Sequence, residues 1–253
     1  MQSYITLDRM KNKPPPGVNF AEYFRAEILR GRGLVGVNDA AEELKRSKFF
    51  IETMEQFVSS SESKEVKALK KSIGTMSAES KDEFWQWHYP IHWEDIFGVR
   101  IRSAFVAQLC SHVEALLGDI AHRVQVIERS SLLLKHIKGT ALEQARLYYQ
   151  AFGRFGPPDE EVWARMAHVF RIRNIHVHEQ GYARELPDDK RFLKFLQSLP
   201  NVEIEHNFVE LRAGSCIAIL TIAEDFQTAL LEEFEAYRQR ALVLEKVSRK
   251  NAV

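Results

Sequence analysis

The sequence predicts a mainly α protein: a helical bundle with a small β-hairpin and an N-terminal helical extension. Three observations predict it. Apolar residues recur at spacings of three, four and seven over long stretches. Helix-capping residues and glycines punctuate those stretches. Strict apolar-polar alternation is confined to one short segment past residue 200.

The elements follow in order. Pro14, Pro15, Pro16 and Gly17 make a stiff extended arm that no helix accommodates. Residues 19–30 fit a short helix ending at Gly31. Asn38 or Asp39 is a cap for a second helix to about Val58, with Leu44, Phe49, Phe50, Met54 and Phe57 as its apolar members. Residues 59–82 are polar and serine-rich, and read as a connection holding one short helix. A boundary placed there divides the chain into residues 1–82, an arm with a helical extension, and residues 83–253, the main helical domain.

An aromatic cluster comes next (Phe84, Trp85, Trp87, Tyr89, Trp93, Phe97), broken by Pro90. A long helix is expected over about 91–127, because Val99, Val106, Leu109, Val113, Leu116, Ile120, Val124 and Ile127 form one stripe. Residues 140–152 predict another helix, stopped by Gly153 and Gly156-Pro157-Pro158. Asp159 caps a further helix to about His178, its first turn carrying Glu160 and Glu161 and its end marked by Gly181. Val162, Met166, Val169, Phe170 and Val177 are its expected apolar stripe. Residues 202–205 and 208–211, a turn at Gly214 and the apolar run 216–222 read as a small hairpin. A last helix covers about 223–246, with Phe226, Leu230, Phe234, Tyr237, Ala241 and Leu244 at helical spacing.

Composition sets bounds on function. The 253 residues carry 35 basic and 35 acidic side chains, with 45% hydrophobic and 28% charged residues. That balance argues against a surface that coats nucleic acid, which needs a basic excess, and is neutral toward a small catalytic cleft. Cys110 and Cys216 cannot build a disulfide framework and read as buried thiols in a reducing compartment, so a cytoplasmic location is expected. The first residues lack a signal-peptide core, and no apolar run nears the roughly 20 residues of a membrane span, so no membrane partner is expected.

Chemistry concentrates at the end of the helix that begins near Asp159. Arg173, Asn174, His176 and His178 stand within six residues. Arginine is always charged and its fork fits phosphate oxygens. Histidine exchanges protons near neutral pH, and asparagine orients either. Together they are what RNA cleavage without a metal requires. On an unbroken helix Arg173 and His178 lie about 140° apart and Arg173 and His176 about 60° apart. Either the helix loosens before Gly181, or a second copy of the chain completes the site, which favours a homodimer.

The pattern Arg173-Asn174-x-x-x-His178 resembles the signature of the HEPN family, an arginine followed after four to six residues by histidine. A long earlier helix bearing Glu114, the glycine past the motif, the hairpin and the closing amphipathic helix resemble the same family over roughly residues 84–246. The resemblance implies a HEPN-like fold and a metal-independent endoribonuclease of the toxin or phage-defence type, acting on RNA as a dimer, without a cofactor. It implies His178 as general acid/base, Arg173 as the phosphate contact and Asn174 as the orienting group. Glu114 is expected to pair with Arg173, and His176 to support the site. An antitoxin or defence partner is possible in such systems. The alternative implied by the family is a non-catalytic dimerisation or interaction module. In place of the His-x-Tyr continuation of some family toxins, this chain has Gln180, with Tyr182 two residues on.

Other signals read as structure. Gly31-Arg32-Gly33-Leu34-Val35-Gly36 spells a dinucleotide fingerprint, but a helix precedes it where a strand is required. His88, His92 and Glu94 are interrupted by Pro90, which prevents a one-face ligand pair, so no metal is expected. The aromatic stretch is read as packing or interface rather than as a base-stacking platform.

Overall fold

The computed structural model describes residues 19–31, 35–152, 155, 158–184, 186 and 189–250, with side chains described from residue 40 in the second helix and to 248 in the last. The proline arm, the Arg32-Gly33-Leu34 part of the glycine stretch, Gly153 and Gly156-Pro157 lie outside the described residues. The protein is mainly helical with one two-stranded antiparallel sheet. Its helices are α1 (Phe20–Leu29), α2 (Val35–Ser72), α3 (Ala78–His88), α4 (Val99–Glu128), α5 (Ala141–Ala151), α6 (Glu160–His178), α7 (Lys190–Ser198) and α8 (Ser215–Lys250). A π-helical turn, His92–Gly98, precedes α4, and the strands are β1 (Val202–Glu205) and β2 (Phe208–Leu211).

Local chemistry explains most boundaries. Asn19 Oδ1 accepts from Ala21 N at the start of α1, and Ser77 Oγ accepts from Ser80 N at the start of α3. Thr140 and Glu143 cap α5 reciprocally, and Asp189 Oδ1 accepts from two backbone N–H groups opening α7. Each satisfies donors that a helix end leaves without partners. Tyr89 is extended ahead of Pro90, as a residue before proline must be, which ends α3.

The chain forms two compact units, each assembled from separated stretches. The first comprises residues 1–41, 113–159 and 227–253. Its core holds Leu117, Ile120, Val124, Tyr148, Tyr149, Phe234 and Tyr237. Tyr149 O–H donates to the Leu117 carbonyl at 2.8 Å and Tyr237 O–H to Glu128 at 2.8 Å, so each buried phenol keeps a partner. The second comprises residues 42–112 and 160–226 and contains the candidate site.

Three expectations need correction. The serine-rich connection is helix: α2 continues unbroken to Ser72. Beneath the serines runs a narrow stripe in which Leu44, Ile51 and Val58 are buried and Glu65, Val66 and Leu69 half-buried, a seven-residue repeat that composition conceals. The run 216–222 is not a strand but the opening of α8. Cys216, Ile219, Leu220, Ala223 and Phe226 are buried at spacings of three and four, and a short apolar run alone cannot separate the two states. Asn38 and Asp39 lie inside α2, which starts at Val35. Helix α7 falls where no element was assigned. The stripe of the long helix is as expected: from Val106 to Ile127 every residue named for it is buried. One window within residues 78–128 is long and apolar enough to cross a membrane, and half of it is buried inside the fold.

Arg102 organises the second unit. It is 1% exposed and donates through Nε to Glu55 at 3.1 Å, through Nη1 and Nη2 to Glu94 at 2.7 and 3.1 Å, and through Nη1 to the Leu211 carbonyl at 3.1 Å. Glu55 also accepts from Gly214 N at 3.1 Å. Burial works against the guanidinium charge, but hydrogen bonds and attraction from Glu94 and Glu55 outweigh it and raise the Arg102 pKa. Gly98 makes room for the pair: a Cβ there would sit 2.9 Å from both Arg102 Nη1 and Glu94 Oε2.

The hairpin joins the end of α6. His206 and Asn207 both take positive φ, the geometry of a two-residue turn that suits strand twist. Tyr182 bridges to Phe208, and Val209 N donates to the Gly181 carbonyl at 2.9 Å. Gly181 has φ +95°, and a Cβ on it would lie 2.4 Å from the Phe208 ring, so only glycine fits.

Arg102→Met leaves two partly buried carboxylates without their cation. We expect it to lower stability by about 3 kcal/mol in urea unfolding, the lower range for breaking a buried pair. Adding Glu55→Gln and Glu94→Gln should recover part of the loss; no loss in the single variant would refute the role given to Arg102.

Candidate functional site

Helix α6 buries Trp163, Met166, Val169, Ile172 and Ile175, a stripe of strict three-residue spacing that drifts around the helix. This differs from the expected stripe: Val162 and Phe170 are half-buried and Val177 is 47% exposed. The drift decides where the motif residues lie. Arg173 and His176 fall on the flank of the stripe and are half-buried, whereas Asn174 and His178 are exposed.

The helix does not loosen within the motif: it is α-helical through His178, and positive φ begins at Gln180. Arg173 and His178 therefore remain about 140° apart around one axis. Within one chain Arg173 bonds to Asn174, with His176 one helical turn further on and His178 on another side of the helix. Arg173 Nη1 donates to Asn174 Oδ1 at 2.9 Å. Glu114 is half-buried on α4 and belongs to the first unit, while Arg173 belongs to the second.

Among the described residues Arg173 has no carboxylate partner. Its neighbours on other turns do: Arg171 pairs with Asp189 and lies over the Phe192 ring at 4.2 Å, and Arg165 reaches Asp225 at 3.7 Å. Arg173 Nε is buried without a hydrogen-bond partner.

His176 is held from α4 by a residue that sequence reasoning missed. Ser103 Oγ donates to the Val99 carbonyl at 2.8 Å and lies 3.2 Å from His176 Nδ1. The hydroxyl accepts from Nδ1 in one imidazole tautomer and donates to it in the other. His176 Nε2 is buried and unpartnered. Burial pushes the imidazole pKa down to about 4, so His176 is neutral at physiological pH. Nothing in the sequence marked Ser103, a lone hydroxyl among apolar helix residues.

The remaining sequence signals resolve as structure. A helix, α1, precedes the glycine stretch where a nucleotide fold would need a strand. His92 Nε2 contacts Glu65 at 3.2 Å, and His88 stacks on Phe84 at 4.5 Å between ring centroids. The aromatic stretch packs only in part: Phe84, Trp85 and Trp93 are half-buried, but Trp87 is 78% exposed. Compared with known protein families, curated proteins and solved structures, the chain matches none.

The depressed pKa of His176 has a consequence for stability. The unfolded chain takes up a proton near 6.5, while the folded site resists it down to about 4. The neutral-imidazole contribution is therefore complete above pH 6.5 and is lost as pH falls toward 4. We expect an acid-side loss on the order of 3 kcal/mol at most, measured as the urea midpoint between pH 7 and 4.5. His176→Gln, which does not titrate, should flatten that part of the profile; an unchanged profile would contradict the burial argument.

Proposed function

We propose that this chain is a metal-independent endoribonuclease of the HEPN type, acting in the cytoplasm as a homodimer in which two α6 ends form one cleft. The observation that carries the reading is the state of Arg173. It stands in a helix whose other arginines are occupied by carboxylates, yet among the described residues its guanidinium meets only the Asn174 amide. A cation kept from internal ion pairing, beside an exposed asparagine and histidine, suits a phosphodiester and the charge that develops on it during cleavage.

In this reading Arg173 holds the phosphate, Asn174 sets the guanidinium, and His178 exchanges the proton. The unbroken helix supports the dimer, since Arg173 and His178 of one copy face different ways. A cleft built from two copies would pair the arginine of one with the histidine of the other. The buried free thiols of Cys110 and Cys216 are in keeping with a reducing compartment. A toxin or phage-defence role, with an antitoxin or defence partner, is proposed on the same motif.

The same helix geometry favours a second reading. If the chain remains a monomer, the motif cannot converge on one phosphate, and the protein is then a HEPN-like interaction module without catalysis.

The test is cleavage of single-stranded RNA in the presence of a chelator, with cyclic-phosphate ends as the expected product. Arg173→Ala and His178→Ala should each reduce the rate by about 100-fold or more. Mixing the two variants should restore roughly a quarter of the activity, because half the dimers are mixed and each holds one intact arginine-histidine pairing. Full-rate cleavage by both variants would discard the nuclease reading, and no restoration on mixing would discard the composite cleft.

A further inference from the structure

Helix α2, which precedes the stretch that resembles the HEPN family, sorts its charges by face. Between residues 46 and 71 basic and acidic side chains are mixed along the sequence, and the fold separates them. Glu55 binds Arg102, Glu62 accepts from the Tyr89 hydroxyl at 2.9 Å, and Glu65 accepts from Trp93 Nε1 at 2.7 Å. The lysines stay outside. Lys64, Lys67 and Lys71 are exposed and meet no carboxylate among the described residues.

The same outer face carries phenylalanine. At about 100° per residue, Phe49, Phe50 and Phe57 share an arc of about 100° with those three lysines. All the acids between residues 46 and 71 lie beyond that arc. Phe49 is 72% exposed, Phe57 52% and Phe50 44%. The aliphatic residues turn the other way: Ile51 and Val58 are buried, and Met54, Val66 and Leu69 half-buried. What faces water is therefore aromatic rings and cations, with no exposed aliphatic side chain larger than Ala68.

That composition selects the partner. A membrane surface takes a helix with apolar residues along its length, and past Phe57 this face holds only serine, lysine and Ala68. A partner helix takes an apolar seam at spacings of three and four, and on α2 that seam is already turned inward. Single-stranded nucleic acid takes what is here, since bases stack on aromatic rings and phosphates follow cations. Phe49 and Phe57 stand ~12 Å apart along the axis, and Lys64 to Lys71 continue the line for ~10 Å. The chain as a whole carries no net charge, so the attraction is local to this ridge.

We propose that the outer face of α2 is a docking ridge for single-stranded nucleic acid. Bases stack on Phe49, Phe50 and Phe57, and Lys64, Lys67 and Lys71 follow the phosphates. The proposal stands on α2 alone and does not rest on the nuclease reading of α6.

The experiment follows binding of a short oligothymidylate to the full chain by fluorescence anisotropy. This DNA has no 2′-hydroxyl, so it cannot form the cyclic phosphate of RNA cleavage and stays intact. Phe49 is the ring to change, because Phe57 also packs edge-on against Trp93 at 6.0 Å between centroids. Phe49→Ala should weaken binding about tenfold, the scale of one stacked base. Phe49→Leu keeps apolar bulk without a π face and should weaken binding as much, whereas Phe49→Trp should retain it. Changing Lys64, Lys67 and Lys71 together to glutamine should flatten the slope of log affinity against log salt by about 2, for three phosphates on a single strand. A duplex of the same sequence, its base faces covered, should bind more weakly than the single strand. Urea midpoints of these surface variants should stay at the parent value. Full affinity in Phe49→Leu, or equal binding of duplex and single strand, overturns the proposal. So does failure to bind oligothymidylate, including the case in which the chain binds phosphatidylserine vesicles instead. Each of these outcomes leaves the reading of the α6 motif to its own test.

Discussion

A single buried cation ties the second unit together. Arg102 projects from α4 into a space bounded by α2, the π-helical turn and the last residue of β2, and binds a group on each. Through Glu55 the same cluster reaches the backbone at Gly214, where α8 is about to begin. A guanidinium with almost no exposure is tolerable only when its donors are occupied and its charge is balanced, and here two carboxylates and a carbonyl do both. Helix identity in this region thus depends on electrostatics as much as on apolar burial. The next residue along, Ser103, touches the motif helix. One turn of α4 therefore anchors the scaffold with one side chain and sets a site imidazole with its neighbour.

The two motif histidines have been given different environments by the register of α6. His176 lies on the flank of the apolar stripe, loses water and is held neutral as a hydrogen-bonding group. His178, two residues later, is exposed at the helix end. The arginines divide in a similar way. Arg171 is committed to Asp189 and Phe192, and helps to hold α7 against α6, while Arg173 is left with an amide. Two residues along a helix is a turn of about 200°, enough to give two side chains of the same kind different surroundings.

The sequence made the long apolar periodicities legible, and with them α1, the stripe of α4, α5, α6 and most of α8. It failed where composition masked pattern. The serines of residues 59–63 hid the heptad stripe of α2, and the β-branched run at 216–222 mimicked a strand although its burial follows a helical period. Arg173, Asn174, His176 and His178 were visible because four polar side chains crowd one helix end. Their partners were not visible. Ser103 lies some seventy residues earlier, and a contact across such a distance leaves no local signature. Arg102 and Glu55 were not visible for the same reason, since 47 residues separate them, and Glu94 was weighed only as a metal ligand.

The absent side chain at Gly181 bears on how the motif helix is held. Because the Phe208 ring occupies the volume a methyl group would need, the hairpin is keyed into the stop of the motif helix. The backbone bond from Val209 to Gly181 clamps that fit from the other side. The helix end and the hairpin are thus joined by a close packing contact and a backbone hydrogen bond at one residue, so a side chain added at Gly181 would disturb both at once.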